Sequence, residues 1–417
     1  MNNQINQTAI RIIDKPCGFG KTSGLHSEAK QLIRISSREQ FIFVVPELSE
    51  IERYKAELGD WVQEPSDKGG SKSESIIRLL QMGKNIVTTH SLYDQIRKFE
   101  HLLPSYHVVI DEVPTTAKQV PVKFGKGLFK NLIHHKKYIS IDMQTNLIST
   151  TENWMIEKDD FESGDDLHIK AFMNTVENRE VYYVEGIYCV IPLPDAFFTK
   201  PKSLTILTFL FEGTQLHHWM MKRGFDYTIL KDHIEHQQFK IQMNQNIIYR
   251  MNNSNSKTGY TAMTSKDSPS RRNVGNWAKN EWNALRKFDP TVTTDRVLVA
   301  SHKDAWHGKE KNPKSNVTNK TSLSSLSRLG KATWTSLITR GTNKYKEKDI
   351  IFILGTENMN PSLAKFLGMT TKEAQNRHTL SELVQLIYRT AIRDGYPIYV
   401  FIADDHNEKI LKEYLES

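Results

Sequence analysis

Cysteine is nearly missing from this chain: two in 417 residues, Cys17 and Cys189, far apart. That excludes a disulfide framework and any cysteine metal spacing, and it suits a reducing compartment. No apolar run reaches membrane-spanning length, and the opening MNNQINQTAIR is polar rather than a signal peptide. A cytoplasmic protein with no membrane partner is expected. Acid is also scarce: 48 Asp and Glu stand against 56 Lys and Arg, a formal net charge of +8. A basic balance favours polyanions without naming one. The shortage is local. Residues 113–140 hold Lys118, Lys123, Lys126, Lys130, Lys136 and Lys137 and no acid, and residues 301–345 carry only Asp304 and Glu310 against nine basic residues. Phe124, Phe129, Trp306 and Trp334 lie within these stretches. Charge for phosphates with aromatics for base stacking is what a single-strand channel requires, though each stretch could also be a solvated surface.

What is present is enough for globular folding, and 417 residues are too many for one ordinary core. The chain is organised around residues 12–25, IIDKPCGFGKTSGL. Ile12 and Ile13 read as the end of a buried strand. A turn with Gly18 and Gly20 follows, and Lys21, Thr22 and Ser23 open a helix. That layout aims loop and helix N–H groups at an anion. Lys21 reaches the β- and γ-phosphates in such a loop, and the Thr22 hydroxyl holds Mg²⁺. Lys15 stands where the general phosphate-loop pattern has glycine, so KPCGFGKT fits better the variant with proline at its second position. A glycine turn before an ordinary helix is the alternative. Cys17 is then a small residue that suits the turn, or a reactive thiol.

Strands and helices alternate from there. Residues 41–45 (FIFVV), 85–89 (NIVTT) and 107–110 (HVVI) read as strands, with helices over 25–35, 49–58, 76–82 and 91–99. Alternation of this kind predicts a doubly wound parallel α/β sheet, with ligands beyond the carboxyl ends of its strands. Pro46, Thr89 and the pair Asp111–Glu112 fall there with the glycine turn. The alternation breaks over about 113–202, an insertion with a hairpin over 181–191, and 203–210 (SLTILTFL) resumes the sheet. The expected domains are 1–235 and 236–417. Residues 252–272 read as a mobile loop, and strands over 296–300, 349–354 and 398–402 form a second alternating set.

An acid at a strand end can hold Mg²⁺, and its neighbour can orient and deprotonate an attacking water. Asp111 and Glu112 take these roles, unless they simply cap a helix. Gln385, Arg389 and Arg393 recur every four residues, which predicts one face of a helix over 380–394. Arginines from a second domain can meet the charge that γ-phosphate hydrolysis develops; solvated helix arginines are the bland reading.

KPCGFGKT, VVIDEV and QLIYRTAIR, in this order and spacing, resemble motifs I, II and VI of superfamily 2 helicases, the DEAD/DEAH-like group. VVPELSEIE, VTTHSLYD, VLVASH and SLITRGTN resemble motifs Ia, Ib, IV and V. The resemblance implies two RecA-like domains in tandem, an insertion in the first, ATP with Mg²⁺ in the cleft and a single strand across both. It carries over Pro16, Cys17, Gly18, Phe19, Gly20, Lys21, Thr22, Ser23, Asp111 and Gly341 as nucleotide-binding residues, with Thr22 and Asp111 on the metal. Glu112, Gln385, Arg389 and Arg393 become the catalytic set. Pro46, Thr89, Thr208, His302, Arg340 and Thr342 become strand or coupling contacts. Motif II departs as DEVP, motif III keeps only Thr208, and Arg393 follows Arg389 by four residues where the family has three. Gln4 and Gln7 are the adenine-reading candidates by position.

The expected activity is therefore an ATP-dependent helicase or translocase on a single strand, DNA in preference to RNA, alongside replication or recombination proteins. Two alternatives stand beside it. One is a DNA-packaging motor with a nuclease site at Asp404 and Asp405. The other is an idle helicase-like scaffold that binds nucleic acid without turnover.

Overall fold

The computed structural model describes residues 8–16, 18–35, 39–68, 70–121, 125–158, 165–185, 188–249, 254–309, 315–338 and 344–417. The first layer is built from β1 (Ala9–Asp14), β2 (Gln40–Val45), β3 (Ile86–Thr89) and β4 (Tyr106–Asp111). The chain then leaves for a separate unit of β5 (Ala117–Pro121), β6 (Ile139–Ile141), β7 (Leu147–Thr150), β8 (Val181–Glu185) and β9 (Tyr188–Pro192). It returns to the first layer as β10 (Ser203–Thr208) and β11 (Thr228–Lys231). The first sheet runs β11-β1-β10-β4-β2-β3, and every pairing in it is parallel. Parallel strands are covered on both faces, which is why FIFVV is apolar throughout and buried throughout.

Register sets the site. Asp14 pairs with Thr208 and Leu207 with Asp111, so β1, β10 and β4 end flush. The inserted sheet, β5-β9-β8-β7-β6, is antiparallel and has its own core, in which Phe129, Trp154, Phe172 and Cys189 are buried.

The second parallel sheet comprises β12 (Ile247–Tyr249), β13 (Val297–Ala300), β14 (Thr333–Thr335), β15 (Ile350–Ile353) and β16 (Ile398–Ile402). Its order is β12-β16-β15-β13-β14. The helix Pro361–Leu367 reaches back from it: Leu363, Phe366 and Leu367 share a buried cluster with Ile12, Val108 and Trp219. Phe366 stacks on Trp219 at 5.4 Å between ring centres, and the Lys222 ammonium lies 4.4 Å from its ring centre. Burying one such ring contributes about 2–3 kcal/mol, so the two layers are held by apolar contact as well as by chain connection. Among the described residues, no helix is long and apolar enough to cross a membrane.

Three sequence expectations need correction. The helix expected over 91–99 is a single turn, His90–Tyr93, followed by a 3-10 turn at Ile96–Lys98. The chain turns at Asp94, whose carboxylate takes Lys118 at 2.9 Å and Arg179 at 3.1 Å. Residues 254–272 are not a loose loop: a short helix Tyr260–Thr264 precedes the long helix Pro269–Phe288. The polar composition serves a buried cation. Arg271 is 0% exposed and donates to the carbonyls of Thr321, Met263, Ser265 and Lys266, which satisfies its guanidinium inside the fold. The aromatics expected to stack bases are mostly structural. Phe129 and Trp306 are buried, and the Trp334 indole donates to Ser301 Oγ at 3.0 Å; Phe124 lies outside the described residues.

Candidate nucleotide cleft

Asp14 closes β1 with a carboxylate that is 1% exposed. It accepts from the backbone N–H of Leu210 at 2.8 Å and of Phe211 at 3.2 Å, tying the exit of β10 to the start of the glycine turn. Leu210 takes a left-handed backbone, φ 56, to make this connection. The turn is left-handed at Gly18 (φ 83) and Gly20 (φ 74), which L side chains avoid. The helix Lys21–Ile35 starts at once and has no acid in its first turn, so its N-terminal dipole is uncompensated by carboxylate. Phe19 turns away from the loop mouth and sets its ring edge-on to Phe239, 6.4 Å between ring centres. Pro16 is buried behind it.

The polar groups converge on Asp111. Its Oδ2 accepts from Thr22 Oγ1 at 3.3 Å, Arg53 Nη2 at 3.1 Å and Tyr54 OH at 2.9 Å. His90 Nε2 donates to its carbonyl at 3.0 Å. Lys21 Nζ donates to the Thr208 carbonyl at 3.3 Å, beneath the loop. Burial pushes the Tyr54 phenol well up, and the Asp111 charge adds to it, so Tyr54 is a fixed donor to that carboxylate. Glu50, which pairs with Arg53 at 2.8 Å, is raised chiefly by burial.

Glu112 has the left-handed backbone angle φ 64, rare for a residue with a Cβ and a mark of constrained sites. Its Oε1 accepts from Arg389 Nη2 at 2.5 Å. Arg389 and Arg393 line the same cleft, about 190 Å³, as Gly18, Gly20, Lys21, Thr22, Asp111 and Glu112; Ser23, Pro46, Glu50 and Arg53 complete it. The arginines do not share a helical face. The helix Lys372–Ile387 ends before them, and Arg393 sits in the 3-10 turn Ala391–Asp394. Thr390 breaks the helix: its hydroxyl donates to the Ile387 carbonyl at 2.7 Å and its backbone is extended. Gln385 stays on the helix, bonds Ser381 Oγ at 3.1 Å and does not line the cleft.

Other expected residues are spread further. Pro46 also lines a second cavity, of about 340 Å³, with His90, Ser91 and Ile338. Thr89 ends β3 half-buried, Thr208 is buried under the glycine turn rather than facing a groove, and His302 follows β13. Cys17, Arg340, Gly341, Thr342, Gln4 and Gln7 lie outside the described residues. Sequence reading missed Arg53, Tyr54 and Asp14. Arg53 and Glu50 are three apart on the helix Leu48–Leu58, directly after Pro46, and that pairing was the available signal.

The donor set suits a hard cation beside phosphate: a hydroxyl and a carboxylate oxygen 3.3 Å apart, next to a positive-φ turn and a lysine. Among the described residues, no group of three or more His, Cys, Asp or Glu is placed to hold a metal.

Residues 230–415 match the family described as the YonV C-terminal Rossmann-like domain. The chain is similar to the SPbeta prophage-derived uncharacterized protein YonV of Bacillus subtilis (strain 168), 22% identical over 441 residues, covering 98% of this chain and 99% of that one. Among solved structures it is similar to Xpd4 of S. tokodaii, with 13% identity and a TM-score of 0.48 over 98% of this chain and 93% of that one. An XPD helicase gives 13% and 0.42, with 98% and 90% covered. Dbp5 of S. cerevisiae, bound to RNA and ADP BeF3, gives 12% and 0.39, with 98% and 83% covered.

Proposed function

We propose that this chain hydrolyses ATP in the cleft between its two parallel sheets and uses closure of that cleft to move along a single strand of nucleic acid, DNA in preference to RNA. The observation that carries the reading is the meeting of Lys21, Thr22, Asp111 and Glu112 from the first sheet with Arg389 and Arg393 from the second around one cavity. The glycine turn and helix N-terminus take the phosphates, and Lys21 exchanges the Thr208 carbonyl for phosphate oxygen. Thr22 and Asp111 would hold Mg²⁺, which supplies positive charge to the phosphate oxygens. Glu112 accepts the proton of the attacking water. Arg389, released from Glu112, meets the charge that develops on the phosphoryl oxygens, as does Arg393. Because the arginines and the lysine belong to different sheets, the phosphate's presence and loss change the force across the cleft.

A packaging motor with a nuclease site is disfavoured by Asp404 and Asp405. Asp404 caps the helix Asp405–Glu416 through the Asn407 N–H at 3.1 Å, and the pair joins no metal-binding group among the described residues. ATP turnover with single-stranded DNA, single-stranded RNA and duplex, measured in parallel, tests the proposal. Strand-stimulated turnover that disappears in Glu112→Gln is expected. Metal-dependent cleavage without ATP would favour the nuclease motor, and tight strand binding without any turnover the idle scaffold. The polyanion partners and any replication or recombination proteins follow from the same reading.

A further inference from the structure

The second sheet has a topological switch point. From β13 the chain goes to β14 on one side and then to β15 on the other, and open parallel sheets bind ligands outside the carboxyl ends of strands at such a crevice. A cavity of about 710 Å³ lies there, walled by His302 after β13, by Thr356, Glu357 and Asn358 after β15, and by Tyr260 opposite. It is separate from the cleft around Lys21.

Its frame is rigid. Asn407 Nδ2 donates to Thr356 Oγ1 at 3.0 Å, and the Thr258 hydroxyl donates to Asp404 Oδ2 at 2.8 Å. The Thr258 proton is thereby used, so in their 2.6 Å contact the Thr356 hydroxyl is the donor. His302 Nε2 donates to the Thr258 carbonyl at 3.3 Å, which holds the ring in place. Tyr260 is 54% exposed yet held in place, its hydroxyl on Asp304 Oδ2 at 2.5 Å and its ring nearly perpendicular to that of His302, 5.4 Å between ring centres.

The chemistry excludes a second phosphate site, since Glu357 and Asp404 oppose Lys257 alone around the cavity. What fits is a flat polar ring: an aromatic wall for stacking, and carboxyl and amide groups for its edge. Glu357 takes no hydrogen bond from any described residue; burial holds its carboxyl up to about 7, and above that pH it is a carboxylate that only accepts. A Cβ on Gly355 would lie 2.9 Å from Leu337 and 3.2 Å from His302, while the next residue, Ile338, lines the cavity at Pro46 and His90.

We infer that this switch-point cavity takes one base of the bound strand out of its stack, with the ring on Tyr260 and its edge on Glu357 and Asn358. The inference rests on the strand-binding reading above. Carboxyl and amide acceptors favour bases with an exocyclic amine, so cytosine and adenine are bound in preference to thymine.

The test measures fluorescence anisotropy of the full chain with short labelled oligo-dC, oligo-dA and oligo-dT at one fixed salt concentration. Oligo-dC should bind at least about fivefold more tightly than oligo-dT. Tyr260→Ala should weaken oligo-dC about tenfold and Tyr260→Phe little, since the ring face is what stacks. Glu357→Ala should bring dC and dT together. An abasic site walked along oligo-dC should reproduce the Tyr260→Ala loss at one register and add nothing to it. Strand binding and strand-stimulated turnover that are identical in wild type, Tyr260→Ala and Glu357→Ala would overturn the inference and leave the motor reading standing. Wild type that binds no strand would overturn both. Tight binding of free CMP, lost in Tyr260→Ala while oligo-dC affinity is unmoved, would overturn it in favour of a free-nucleotide site.

Discussion

Arg389 and Glu112 are 277 residues apart and joined at 2.5 Å, with side chains only 7% and 20% exposed. On the proposed function the pair parts when a triphosphate enters, so that Glu112 accepts from water and Arg389 faces phosphate. Arg389→Ala should lower kcat by about a thousandfold, the scale of an arginine that meets transition-state charge. KM for ATP should move far less. Arg389→Lys should not restore turnover, because an ammonium cannot reproduce a planar two-pronged donor. A proportional loss of ATP affinity and kcat would mean that Arg389 only holds the ground state.

Gly18 and Tyr388 touch across the same cleft. A Cβ at Gly18 would sit 2.9 Å from the Tyr388 hydroxyl, at φ +83, whereas one at Gly20 (φ +74) would meet nothing within 4 Å. Gly20→Ala therefore carries backbone strain alone, about 1–2 kcal/mol. Gly18→Ala carries that strain and a clash, so it should be the more damaging of the two. Tyr388→Phe removes the hydroxyl and should recover part of the Gly18→Ala loss. A double-mutant cycle on urea midpoints and on nucleotide affinity checks this; strict additivity would place the loop and Tyr388 out of contact in solution.

The parts that could be read in the chain are those whose chemistry is local. The glycines of the left-handed turn, the helix that opens at Lys21, and the apolar runs of parallel strands declare themselves within a few residues. The insertion showed as lost alternation, and β10 as its return. Contacts across the fold leave no spacing to read: Arg53 and Tyr54 reach Asp111 over 58 and 57 residues. Local spacing also misled. Four-residue recurrence of Gln385, Arg389 and Arg393 suggested one helix, but the helix stops at Ile387 and the backbone is extended at Thr390. Polar residues 252–272 suggested mobility because the buried Arg271, which gathers carbonyls of Met263, Ser265 and Lys266, cannot be told from a solvated one by sequence.

On the proposed function, Arg53 and a divalent cation compete for the same oxygen. Its guanidinium donates to Asp111 Oδ2 at 3.1 Å while also pairing with Glu50. Arg53→Gln should remove that competitor and lower the Mg²⁺ concentration for half-maximal turnover by about three- to tenfold, part of the worth of one charge-assisted hydrogen bond. Mg²⁺ titration of steady-state turnover at saturating ATP reads it. A rise in the Mg²⁺ requirement would instead make Arg53 a phosphate ligand in the closed state.

Glu357 gives a pH signature independent of any activity. Burial, with the Glu382 charge behind it, lifts its carboxyl from the ordinary 4.5 to about 7. Below 4.5 both the folded and the unfolded chain hold the proton, and the residue makes no difference. Between about 4.5 and 7 the unfolded chain has released it and the folded chain has not, so stability falls as pH rises. Above 7 both are ionised and the penalty is complete, roughly 1–3 kcal/mol. Glu357→Gln cannot ionise. Its stability relative to wild type should therefore climb from pH 4.5 to 7 and then stay level, as read from denaturant midpoints at pH 4.5, 6 and 8. Parallel curves for the two proteins would show that Glu357 ionises as freely when folded as when unfolded, and that the cavity beside it is wet and open enough to solvate a carboxylate.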